Sequence, residues 1–231
     1  MSKKEILEKQ QDAAIDQSMQ NAELALSRTE QFFEDNQKPI LIGFFAVLVL
    51  ALAGWFYKTQ YYEPLTKEAQ DEMFNAQYYF EADSFKLALD GDGMNSGFLK
   101  IIDEYKSTPA GKLAKYYAGV CYLRLGNFNK ADEMLSSFSS DDEILNSNAV
   151  GLCGDAQVEL GNLDKAVSLY NKAVGMNNKL TAPIYLMKLG AVYEKQGNMQ
   201  KAVDAYAQVK EKYPQSSLVS TATKYLESVK K

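Results

Sequence analysis

Gly161-Asn162-Leu163-Asp164-Lys165-Ala166 is one of three near-copies of a single phrase. The other two are Gly126-Asn127-Phe128-Asn129-Lys130-Ala131 and Gly197-Asn198-Met199-Gln200-Lys201-Ala202. The copies start 35 and 36 residues apart, and a period of that size marks stacked supersecondary units. Before each phrase runs a helical stretch with a glycine seven residues ahead of the turn glycine: Gly119, Gly154 and Gly190. After each phrase runs a second amphipathic stretch, through Ala131, Leu135 and Phe138, then Ala166, Tyr170 and Ala173, then Ala202, Tyr206 and Val209. The turn glycine permits the chain to reverse. The small residues on both sides of it let the two helices of a hairpin approach closely. Three helical hairpins, stacked in order, follow from these features.

This pattern resembles the tetratricopeptide repeat, which implies an all-α solenoid. The departures are Gln157, where the pattern prefers Tyr (as at Tyr122 and Tyr193), and Glu143 and Asn178, where it prefers Pro. Residues 64–106 resemble a degenerate further repeat, with helices over Glu63–Phe80 and Phe98–Tyr105 and a break from Asp83 to Gly97. The aromatic run Tyr78-Tyr79-Phe80 suggests burial. Leu218 to Val229 reads as one more amphipathic helix, fitting a terminal cap. The resemblance implies a concave surface lined by the first helices. Its groove positions carry over onto Leu113, Tyr116, Val120 and Leu123, then Asn148, Asp155 and Val158, then Ile184, Met187, Ala191 and Glu194. That set is mostly apolar and lacks the basic and Asn residues of a carboxylate clamp. It favours an apolar peptide segment or a partner's helix.

Ahead of the repeats, Pro39 to Tyr57 holds no charged residue and is bracketed by Lys38 and Lys58. As an α-helix it rises roughly 27 Å, close to the roughly 30 Å core of a bilayer. Trp55, Tyr57, Tyr61 and Tyr62 crowd its far end, where amphipathic rings favour the headgroup layer. The expected architecture is one N-terminal transmembrane helix followed by the solenoid. Ala51-Leu52-Ala53 has the form that signal peptidase cuts. Against cleavage stand the 38 residues ahead of the run, their eight acids against five bases, and the apolar continuation through Tyr57. No Cys lies near enough for a lipoprotein. Residues 3–35 lack Gly and Pro, with scattered apolar positions including Ile6, Leu7, Ile15, Met19, Leu24 and Leu26. This tail reads either as a loose helix or as a solvated segment. Phe32 and Phe33 are placed to dip into the interface ahead of Lys38. The boundaries so read are 1–38 for the tail, 39–58 for the span, 59–110 for the degenerate repeat, 111–214 for three repeats and 215–231 for the cap.

The chain has 231 residues, a net charge of −5 and no histidine. The commonest general base and metal ligand is therefore absent. Serines such as Ser136, Ser137 and Ser139 have nothing of that kind to activate them, and no glycine-rich phosphate loop occurs. Neither an enzyme, a cofactor nor a metal is expected. Asp90-Gly91-Asp92-Gly93 invites a calcium reading but lacks the remaining ligands of an EF-hand, so a plain loop is preferred. No basic tract points to nucleic acid. Cys121 and Cys153 fall on the first helices of consecutive repeats and read as buried thiols, with a disulfide as the alternative.

Phe32-Phe33-Glu34-Asp35-Asn36-Gln37-Lys38, then Gly43, then Gly54-Trp55, resembles the start of the YfgM family. These are bacterial inner-membrane proteins with one N-terminal anchor and a periplasmic tetratricopeptide domain. The resemblance implies a cytoplasmic tail, periplasmic repeats and an ancillary place at the Sec translocon. Its partners would be a periplasmic chaperone or prolyl isomerase and emerging secreted chains. Charge does not orient the span, since Arg28 and Lys38 balance Lys58 and Lys67. A scaffold for another envelope complex and a cytoplasm-facing tethered adaptor remain the alternatives.

Overall fold

The computed structural model describes residues 17–21, 27 and 31–229. The expectations at Ile6, Leu7, Ile15, Leu24 and Leu26 lie outside those residues. The described residues are all-α apart from one isolated bridge between Gly91 and Ser96. They fall in two units, Met1–Tyr61 and Tyr62–Lys231.

In the first unit, α1 spans Gln37–Tyr57, and none of its residues is buried. Within the helical stretch Gln37–Glu81, an 18-residue window reaches a mean hydropathy of 2.4, so α1 is long and apolar enough to cross a membrane. It starts two residues before the expected Pro39. The first four N–H groups of a helix have no intrahelical acceptor, so proline is tolerated there. A five-residue π-helical turn, Lys58–Tyr62, follows. Thr59 donates its hydroxyl to the Trp55 carbonyl at 3.0 Å. Next comes α2, Glu63–Glu81, with Pro64 in its first turn. That proline has no N–H to give to the ladder, and the backbone widens beside it.

The second unit continues with α3 (Phe85–Asp90) and α4 (Phe98–Glu104). The stretch expected to break the helical pattern therefore contains a short helix. It forms because Ala88 and Leu89 are buried in the core that Ala69, Met73 and Ala76 of α2 build with Phe98 and Ile101. Phe80 meets the expected aromatic burial only in part: it is half-buried, against Phe98 and, at 5.0 Å, Tyr117. Tyr78 instead points outward, 62% exposed. The loop after α3 is organised on Asp92. One carboxylate oxygen accepts the backbone N–H groups of Met94 and Asn95 at 2.8 and 2.6 Å. The other accepts the Tyr79 hydroxyl and the Asn95 amide at 2.7 and 2.8 Å. These bonds hold the Asp92 carboxyl far below the usual carboxylate range. Among the described residues no group of three or more His, Cys, Asp or Glu converges as metal ligands would.

Three hairpins follow: α5 (Pro109–Arg124) with α6 (Phe128–Ser136), α7 (Glu143–Glu159) with α8 (Leu163–Gly175), and α9 (Ala182–Lys195) with α10 (Met199–Lys212). A final helix, α11 (Val219–Val229), packs on α10. The turn glycines take left-handed backbone, with φ of 74° at Gly126, 78° at Gly161 and 74° at Gly197, a conformation only glycine adopts without strain. Asn127 and Asn198 then cap the second helices, accepting from the N–H groups of Lys130 and Lys201. Asn162, in the same place, turns its amide to Gln157 instead.

Candidate partner-binding face

Each hairpin is closed by one side chain lying over one glycine. A Cβ at Gly154 would come within 2.5 Å of the Tyr170 ring, at Gly190 within 2.4 Å of the Tyr206 ring, and at Gly119 within 2.5 Å of Leu135. The two tyrosines are almost fully buried, so each hydroxyl needs an acceptor. Tyr170 donates to Asp155 at 2.7 Å, and Tyr206 donates to Glu194. The same device operates between hairpins: Tyr185 of α9 fills the notch at Gly151 of α7 and donates to the Asn148 side chain at 3.0 Å. Burial, then the negative charge of Asp155, pushes the Tyr170 and Tyr185 phenols above their usual range. Burial and the bond to Glu194 do the same to Tyr206.

All three polar acceptors, Asn148, Asp155 and Glu194, were expected as groove positions. The structure places each of them on a first helix, occupied by a tyrosine. Asp155 is occupied twice, since Lys188 of α9 also reaches it at 2.5 Å. Tyr170, Tyr185, Tyr206 and Lys188 were not read from the sequence as site residues. The signal was present for two of them: Gly154 to Tyr170 and Gly190 to Tyr206 have the same separation as Gly119 to Leu135.

The apolar groove candidates divide. Leu113 and Leu123 of α5 pack against the first core cluster, and Tyr116 lies on Phe138 at 5.5 Å. Val120 is half-buried. Met187 is half-buried against the core formed by Ala182, Leu186, Val209, Tyr213 and Ala222. Ile184 and Ala191 are exposed. Asp155, Val158 and Ala191 come together in a cleft of ≈ 400 Å³ between α7 and α9, along with Glu159, Lys188 and Lys195. Ile184, Met187 and Glu194 do not line it.

Gln157 explains its own departure from the repeat. In the first and third hairpins a lysine ammonium stands over a tyrosine ring, Lys130 over Tyr122 at 5.3 Å and Lys201 over Tyr193 at 5.5 Å. In the middle hairpin Gln157, 2% exposed, replaces the ring. Its amide donates to Asp132 of α6 at 2.8 Å and accepts from Asn162 at 2.9 Å. Lys165 moves accordingly to Asp132, at 3.0 Å. Cys121 and Cys153 are free and buried, and burial pushes both thiols up to about 12. Phe32, Phe33, Trp55 and Tyr57, the aromatic residues expected at a membrane interface, are each more than half exposed, and Lys38 and Lys58 are exposed as well.

Tetratricopeptide repeat profiles match residues 113–141 and 154–217. No curated protein matches the chain. Among solved structures, the chain is similar to the nearly identical TPR-like repeats of a Podosopora anserina protein. Identity is 14%, 71% of this chain and 86% of that one are covered, and the TM-score is 0.56. The Q17M variant of that protein is similar at 14% identity, with 71% and 94% covered and a TM-score of 0.53. These likenesses concern the fold: an all-α tetratricopeptide solenoid, the kind of scaffold that binds proteins.

Proposed function

We propose that this tetratricopeptide solenoid is a membrane-tethered protein-binding module that works beside the Sec translocon. It would recruit a periplasmic chaperone or prolyl isomerase, or receive secreted chains as they emerge. The observation that carries the tether is α1, whose 21 residues include none that is buried. An apolar helix with no protein cover finds its solvent in lipid. Binding rests on the repeat fold, which presents the first helices side by side. Placement at the translocon rests on the likeness of Phe32–Lys38, Gly43 and Gly54-Trp55 to the YfgM family. With the tail cytoplasmic, the repeats lie in the periplasm of a bacterial inner membrane.

Protease treatment of spheroplasts tests the topology. The repeat domain is expected to be digested in spheroplasts and spared in intact cells; protection in both would overturn the periplasmic placement. A photo-crosslinker at Ala191 tests the partners. Adducts with a Sec component, a periplasmic chaperone or a secretory precursor are expected. Adducts with none of them would overturn the translocon reading and favour another envelope scaffold.

A further inference from the structure

The α7–α9 cleft has walls of opposite charge. On α7 stand Asp155 and Glu159 with Val158 between them; on α9 stand Lys188 and Lys195 with Ala191 between them. Residues three or four apart share a helix face, so the acids form one wall and the bases the other. The walls are tied at one end, where Lys188 meets Asp155 at 2.5 Å and Tyr170 takes the other carboxylate oxygen. Asp155 is thereby fully engaged. Beyond that tie the cleft stays open. Glu159 and Lys195 are both exposed, and among the described residues neither makes an ion pair. Between them lie the short apolar side chains of Val158 and Ala191.

We propose that this cleft seats a helix of a partner protein that carries an apolar seam with one basic and one acidic flank. The inference rests on the protein-binding reading and names the chemistry of the partner. A helix is the occupant because the walls are themselves helices, whose backbone groups are already bonded. An extended chain would find no ladder there for its N–H and C=O groups. A helix laid between two helices presents a central seam and two flanks. Its basic flank faces Glu159, its acidic flank faces Lys195, and its seam rests on Val158 and Ala191. Reversing the direction of the partner helix exchanges its flanks, so the requirement is for opposite signs and not for a particular order.

The test uses the full chain in detergent micelles and three fluorescein-labelled synthetic helices of about three heptads. The helices share a leucine seam and differ only in their flanks: Lys with Glu, Glu with Glu, and Lys with Lys. Fluorescence anisotropy should show the mixed peptide binding about three- to tenfold more tightly than the other two, with the advantage shrinking as salt is raised. Glu159→Lys should transfer the preference to the Glu/Glu peptide, and Lys195→Glu to the Lys/Lys peptide. Both positions are exposed, so these variants keep the fold. Equal affinities, or preferences unmoved by the variants, would overturn the charged-wall inference while leaving protein binding in place. Absence of binding by all three peptides would overturn it too, and the photo-crosslinking result then decides the broader reading separately.

Discussion

The ring of Tyr170 lies where a methyl group on Gly154 would have to be, with its Cε1 2.5 Å from that point. The ring cannot swing aside. It is buried, and its hydroxyl is held by Asp155 at 2.7 Å. The hairpin therefore closes around the missing side chain of one residue.

Gly154→Ala should destabilise the repeat domain by about 1–3 kcal/mol, through overpacking that outweighs alanine's better helix propensity. Gly190→Ala should behave alike against Tyr206. Gly175→Ala is the control, because nothing lies within 4 Å of a Cβ there; it should be neutral or slightly stabilising. Urea midpoints followed by circular dichroism measure all three. Equal midpoints for Gly154→Ala and Gly175→Ala would refute the interlock.

Alkali should unfold the domain in a defined window. The phenols of Tyr170, Tyr185 and Tyr206 are raised above the ordinary value of 10.0, and the thiols of Cys121 and Cys153 are raised from 9.0 to about 12. The folded state thus keeps protons that the unfolded chain loses. The resulting stabilisation is whole below pH ~9 and is lost as pH rises from there through the folded-state values. Urea midpoints should hold level from about pH 7 to 9 and fall steeply by about pH 11. Tyr170→Phe should flatten part of that fall, although the variant begins about 1 kcal/mol lower from the lost hydrogen bond.

Gln157 offers a third measurement. Gln157→Leu keeps most of the volume but leaves Asn162 and Asp132 each short of a partner, and should cost about 1–3 kcal/mol. Gln157→Glu should be worse at neutral pH, because it sets a second carboxylate beside Asp132. Part of that loss should return as pH falls through the carboxylate range. A Gln157→Glu protein as stable at neutral pH as at pH ~4 would refute the arrangement.

The solenoid was legible because its signals are local and repeated. Gly126, Gly161 and Gly197 must reverse the chain, and each does so with positive φ. The short helix Phe85–Asp90 was not legible, since six residues carry too little periodicity and the burial of Ala88 and Leu89 decides the matter from outside the segment. The π-helical turn at Lys58–Tyr62 was equally silent. At the candidate site, the positions of Asp155 and Glu194 could be read from the repeat, but their engagement could not. Lys188 lies 33 residues from Asp155 in sequence, and only folding brings its ammonium there. The cleft inherited from that fold is narrower in composition than the groove expected from the repeat pattern. Ala191 and Val158 belong to it, whereas Met187 is spent on the core.

The notch at Gly151 and the ring of Tyr185 that fills it belong to different hairpins. The boundary at which the chain can be cut or spliced therefore does not coincide with the boundary at which its sequence repeats. A repeat lifted out whole would leave with a notch and no ring, and its former neighbour would keep a ring with no notch. Lengthening or shortening the solenoid at this junction therefore means changing the two residues together.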